Sequence, residues 1–269
     1  MVRSTILLSA AFLFLCTFPV SVQAQNNTQP LEVTADGSLE WHRSDQKFIA
    51  KKNALARQGD VSIAAQTLTA AYTEEGEQNI NIQRIDADQN VVITSRDSKA
   101  YGDQGFYELQ KGYAELTGGN LRLESVDQNV TAKERFEYWV QEGKLLAIGS
   151  AKITRLNDQG ETNTLEADTI TAYLKENAQG ERVLDRLEAD GNVIITTPTE
   201  TLTGDQGIYE AVANTAEITG DVTIKRGPNV LEGARASVDL NTSVSRMFGS
   251  GGSRGRVKGV FYPGSEKEE

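Results

Sequence analysis

Side chains able to do acid–base, metal or nucleophilic chemistry are scarce in this chain. His42 is the only histidine, set between Trp41 and Arg43 in a polar stretch. A zinc site draws on several His or Cys ligands, and the single cysteine, Cys16, lies in an N-terminal apolar run. A Ser–His–Asp arrangement would have to use His42 itself. That position reads as a solvated surface residue. The 38 acidic side chains are spread along the chain, and none follows the alternate-residue spacing of a calcium loop. Gly102-Asp103-Gln104-Gly105 has the glycines of a phosphate cradle, yet it lacks the Gly-Lys-Ser/Thr ending and opens no helix. It reads as a tight turn followed by a strand. No catalytic residue, metal site or cofactor is expected.

The chemistry that remains is apolar and collective. Along Gly102–Leu109, residues Gly105, Tyr107 and Leu109 share one strand face, while Gln104, Phe106 and Glu108 share the other. Phe136, Tyr138 and Val140 alternate with Glu137 and Trp139 in the same way. Val91, Ile93 and Leu116 extend this surface, and Val193, Ile195, Tyr209 and Ile218 are their counterparts further along. Together these residues are expected to line one apolar interior. The phase matters, because a slip of one residue turns every named side chain outward.

The elements that must position them are repeated. Gly102–Gly118 reads GDQGFYELQKGYAELTG, and Gly204–Gly220 reads GDQGIYEAVANTAEITG, with ten of seventeen positions identical at a displacement of 102. Ile82–Ser95 sits over Leu184–Thr197 at the same displacement, and Asn129–Gly149 over Asn229–Gly249 at 100. A fixed period marks a repeat architecture. Segments of five to eight residues rich in Val, Ile, Leu, Thr and Tyr are punctuated by pairs such as Asp36-Gly37, Gly118-Gly119, Asp190-Gly191 and Gly220-Asp221. That is the all-β signature, and Ala64–Ala71 and Glu166–Tyr173 read as strands too. Only five prolines interrupt the chain, so long backbone ladders can run through it. The expected organisation is a β region over residues 25–249 with a duplicated unit at about 54–149 and 156–249. A Gly-rich and charged tail, 250–269, ends it with a strand-like piece at Arg256–Tyr262. Both the first strand, near Leu31–Leu39, and that last one are candidate open edges.

Residues 1–24 read as a cleaved secretory signal peptide: Arg3, the apolar run Ile6–Phe18, then small residues ending at Ala24. The run is short for a bilayer span of ~20 residues. Removing it leaves 26 basic against 38 acidic side chains, a net charge of −12. Such a surface is unsuited to nucleic acid, whose phosphates need cations.

Tyr107-Glu108-Leu109, Leu116-Thr117-Gly118, the run Val126–Val130, then Tyr138, Val140 and Lys144 form an ordered series. With the signal peptide, that series resembles the OstA-like domain family of LptA-type lipopolysaccharide-transport bridge proteins. The resemblance is strongest over Val61–Gly149 and Leu165–Gly249; the short members of that family end near one copy of the pattern, and this chain has two. It implies an elongated, twisted, partly open β-jellyroll, a solenoid-like stack of antiparallel strands. It further implies a periplasmic protein of a Gram-negative cell that binds lipopolysaccharide and shields its acyl chains between the inner and outer membranes. Its partners would be inner- and outer-membrane components of the transport machinery, joined by edge-strand pairing, with head-to-tail self-association left open. Each exposed CH₂ costs about 0.8 kcal/mol, so a chain of about a dozen carbons faces roughly 10 kcal/mol in water. An apolar groove removes that cost without any specific site. Two other readings stand beside it. One is a structural β-solenoid adaptor that binds no lipid, which a narrow, filled interior would favour. The other is an exported carbohydrate-active enzyme, which needs two carboxylates converging in a cleft.

Overall fold

The computed structural model describes residues 30–262 except 76–78, 97, 127, 157–159, 179, 243 and 251–254; the expected signal peptide and most of the tail lie outside them. The described residues form eighteen strands and no helix. All of the ladders are antiparallel and join into one sheet. The chain begins with β1 (Glu32–Thr34), β2 (Ser38–His42), β3 (Lys47–Gln58), β4 (Val61–Glu75), β5 (Asn79–Ser95) and β6 (Ser98–Glu108). Four short strands follow: β7 (Tyr113–Thr117), β8 (Arg122–Ser125), β9 (Gln128–Thr131) and β10 (Arg135–Trp139). The second half holds β11 (Lys144–Leu156), β12 (Thr162–Glu176), β13 (Arg182–Thr196), β14 (Thr201–Glu210), β15 (Thr215–Arg226), β16 (Asn229–Asp239), β17 (Val244–Phe248) and β18 (Lys258–Val260).

Each long strand bends near its middle, so the sheet has two arms. Register shifts mark the bend at Lys51/Ala54, Asp88/Val91, Ile148/Ala151, Asp190/Val193 and Thr219/Val222. At each, two consecutive residues with positive φ oppose one residue of the next strand: Lys52-Asn53, Gln89-Asn90, Gly149-Ser150, Gly191-Asn192 and Gly220-Asp221. This is a β-bulge, which kinks a strand and strengthens its twist. Short strands complete the pattern as broken rungs. β2 pairs with the first arm of β3 and β1 with its second arm. β7 and β8 divide β6 between them, β10 and β9 divide β11, and β17 and β18 divide β16.

The strands are therefore longer than the five to eight residues expected, reaching seventeen in β5. Pairs such as Asp190-Gly191 and Gly220-Asp221 are bends inside strands and not turns between them. The Gly-Asp-Gln-Gly stretch is likewise no turn. It lies inside β6 and β14, with neither Gly102 nor Gly204 in the positive-φ region. Its glycines serve close approach. A Cβ on Gly102 would stand 2.7 Å from Leu116 Cγ, and one on Gly204 2.5 Å from Ile218 Cγ2. Gln104 and Gln206 each donate to the Asp of the preceding strand, Asp88 and Asp190, at 2.9 Å. Asp103 accepts the Gly119 N–H at 2.8 Å. The most repeated stretch of the sequence is thus the corner piece of the fold.

Side chains on the inner faces form one core cluster that takes in both arms. The first arm contributes a row running Ala147, Ile170, Ala189, Gly207, Ile218 and Ala236. The second contributes Ile153, Leu165, Ile195, Leu202, Ile224 and Leu231. Where the arms meet, space is tightest: Ala54, Val91, Ala151, Val193 and Val222 are at most 1% exposed.

Outer faces carry ion pairs, and these set an acid limit. Lys51, then His42 and Ser38, hold the Glu40 carboxyl down to about 2. Hydrogen bonds from Lys111 lower Glu108, those from Arg122 lower Glu124, and Thr242 lowers Asp239. A carboxylate whose folded pKa is depressed stabilises above its unfolded value and loses that contribution as pH falls through the folded one. Glu200 has the opposite sign, because burial raises it and protonation relieves it. Thermal melts should decline as pH falls from about 4.5 toward about 2, while Glu200 lowers stability as pH rises above its ordinary value. A melting temperature independent of pH across that window would contradict the ion-pair account.

Candidate functional site

The interior between the arms is the one continuous apolar surface among the described residues. At the N-terminal end it opens into a cavity of about 300 Å³. Both arms line it: Val33 and Ala56 from one, Leu39, Trp41, Phe48 and Leu68 from the other. Phe48 lies between Trp41 and Tyr72, with ring centroids 5.3 and 4.9 Å away, and the Trp41 indole N–H donates to the Tyr72 hydroxyl at 2.7 Å. Leu39 is 62% exposed at this mouth. In the second half the arms close on a void of only about 30 Å³, framed by Leu165 and Ile195 on one side and Leu187, Tyr209 and Ile218 on the other.

Of the twelve expected lining residues, Val91, Leu116, Phe136, Val193, Ile195, Tyr209 and Ile218 are buried in the core cluster. Ile93 and Tyr138 are partly buried and packed against it. Tyr107 shares the inner row with Ile85 and Ala114 and is half-buried. Leu109 and Val140 fall just past the ends of β6 and β10, in turns at the rim of the first arm. Strict alternation assumed that the strands continue; they stop at Glu108 and Trp139, so these two do not reach the core. Val91 and Val193 sit in the bend, facing Gly102 and Gly204, and not on the open part of the groove.

The mouth residues Leu39, Trp41 and Phe48 were not anticipated. The signal was present as the alternation Leu39-Glu40-Trp41-His42, masked by the polar turn beside it. His42 itself is exposed, 2.9 Å from the Glu40 carboxylate. Among the described residues no cluster of His, Cys, Asp or Glu has the arrangement of a metal site.

Two phenols reach the interior of the first arm. Burial raises the pKa of Tyr107, and it raises that of Tyr138 against the opposing pull of Arg182. The Tyr138 hydroxyl accepts from Arg182 Nη1 at 2.8 Å, and the Tyr209 hydroxyl donates to Asn214 Oδ1 at 3.0 Å. Among the described residues, β1 and β2 pair only with β3, and β17 and β18 only with β16, so these strands form the two ends of the stack. β17 is an edge that the sequence did not suggest.

Comparison with known proteins bears on this arrangement. The family model of the LptA/(LptD N-terminal domain) lipopolysaccharide transport protein matches residues 32–144 and 156–244. The uncharacterised protein R00383 of Rhizobium meliloti (strain 1021) is 27% identical over 139 residues, which is 50% of this chain and 70% of that protein. The crystal structure of LptH, described as the LptA-homologous periplasmic component of the lipopolysaccharide transport device of Pseudomonas aeruginosa, aligns over 88% of this chain and 98% of its own. Its identity is 12% and its TM-score 0.22.

Proposed function

This chain belongs to the LptA/LptD N-terminal domain family of lipopolysaccharide transport proteins, and from that membership we propose that it is a periplasmic lipopolysaccharide-binding bridge. It shields the acyl chains between its two arms on their way from the inner to the outer membrane. The observation that carries the reading is the two-armed apolar interior with its 300 Å³ mouth, a volume within the ~300–1,000 Å³ of ligand pockets. Beyond the mouth the arms are filled by their own side chains. They are tied together by backbone only at the bends, so an acyl chain can part them by exchanging apolar contacts for apolar contacts, at little net cost per unit area. The open edges β1/β2 and β17/β18 suit strand addition by partners of similar fold in the two membranes.

A second reading, a structural adaptor that binds no lipid, is favoured by the 30 Å³ void in the second half. Photo-crosslinkers placed at Phe48, Tyr107 and Tyr209 in living cells decide between them. Lipopolysaccharide adducts at Phe48 and Tyr107 are expected; adducts at none of the three, with membrane partners still captured, would leave the adaptor. Deleting residues 255–269 removes β18 and spares β17. Capture of one membrane partner should weaken while the circular dichroism spectrum stays that of an all-β chain. Undiminished capture of both partners would count against edge pairing.

A further inference from the structure

Arg182 opens β13 at the rim of the first arm. It stands two residues before Leu184, which is 5% exposed in the core, so Arg182 has the phase of the inner face. Arginines on the outer faces are held differently. Arg84, Arg122, Arg186 and Arg235 each pair with a carboxylate and stack on an aromatic ring. Arg182 pairs with no carboxylate among the described residues, not even with Glu176, its cross-strand neighbour. Its Nη1 donates instead to the Tyr138 hydroxyl, in a chain with a net charge of −11.

The fold does not require a cation at this place. A displacement of 102 puts Ile80 at the equivalent position of the first copy, where it is 45% exposed. The guanidinium keeps most of its five N–H donors free. Tyr138 accepts from Arg182 and retains its own O–H for donation. Tyr107 lies on the same inner row, separated from Tyr138 by Ala114 alone, whose small side chain leaves room between the rings. Donors thus gather where the apolar interior reaches water, and the acceptor in the neighbourhood, Glu176, is exposed and solvated.

We propose that Arg182, Tyr138 and Tyr107 form an anion site at the groove rim that takes the phosphate monoester of an acylated headgroup. The site rests on the lipid-groove reading. Arginine suits a phosphate because its planar fork donates two parallel hydrogen bonds to the anion's oxygens. An amphiphile whose chains lie between the arms presents its polar end at this boundary.

The test measures binding of lipopolysaccharide, and of the same lipid enzymatically dephosphorylated, to the full chain. The wild type should prefer the phosphorylated form about tenfold or more, the usual worth of charge-assisted hydrogen bonds. Arg182→Ala should erase the preference without changing affinity for the dephosphorylated form. Arg182→Lys, which keeps charge and loses the fork, should fall between, as should Tyr138→Phe. An equal loss for both forms in Arg182→Ala, or no change in either, would overturn the site while leaving the groove standing. Failure of the wild type to bind either form would instead remove the groove and this site with it. Inorganic phosphate that binds without lipid and is lost in Arg182→Ala would overturn the headgroup assignment in favour of a free-anion site.

Discussion

Val193→Asp should unfold the second half of the stack. Val193 is 1% exposed, faces Gly204 across the β13–β14 ladder, and lies where the arms meet. A carboxylate there has neither water nor a partner, and full burial shifts such a group upward by as much as 3–5 pKa units. At about 1.4 kcal/mol per unit that is roughly 4–7 kcal/mol at neutral pH. Loss of the apolar burial adds about 1.5–3 kcal/mol. A whole domain has only about 5–15 kcal/mol in hand. The urea midpoint should collapse, and it should recover in part as pH falls and the new carboxyl protonates. A midpoint like that of the wild type would refute the packing described at the bend. Ile195→Asp, also buried at 7% but on the second arm's inner face, should lose stability by the same mechanism. A folding measurement therefore has to precede any transport assay on either variant.

Leu39→Asp should separate lipid handling from folding, whereas Phe48→Asp also removes the packing between Trp41 and Tyr72. Both residues line the N-terminal cavity, and Leu39 is already 62% exposed, so a carboxylate there stays hydrated. Stability should change little for Leu39→Asp. Affinity for an acylated ligand should fall because the mouth no longer offers apolar contact. The loss of one large apolar side chain is worth about 1.5–3 kcal/mol, or roughly ten- to a hundredfold in affinity. Equilibrium binding of lipopolysaccharide by folded Leu39→Asp and Phe48→Asp proteins is the measurement. Wild-type affinity in both would place lipid entry elsewhere on the stack.

Much was decided by local pattern alone. Period-two alternation and β-forming residues specify an all-β chain, because side chains on a strand must face opposite sides whatever surrounds them. The repeat at a displacement of 102 puts the Gly-Asp-Gln-Gly stretches of β6 and β14 opposite matching bulges, Gln89-Asn90 and Gly191-Asn192. The family series, Tyr107 through Lys144, was legible for the same reason, and so was the inward phase of Leu116, Phe136 and Tyr209.

Tertiary structure decided what lies at the bends and at the ends. A glycine pair such as Asp190-Gly191 looks alike in sequence whether it turns the chain back or only kinks it. The difference lies in whether the neighbouring strand continues past it, which is a matter of pairing at long range. That is why Gly-Asp-Gln-Gly read as a turn and proved to be a corner inside β6 and β14. Leu109 and Val140 lie in turns because β6 and β10 end at Glu108 and Trp139, and alternation carries no information about where a strand ends. The mouth formed by Leu39, Trp41 and Phe48, and the meeting of Arg182 with Tyr138 44 residues away, exist only once the rungs are stacked. Stacking brings separate strands to one rim, and no local period encodes which side chains arrive there together.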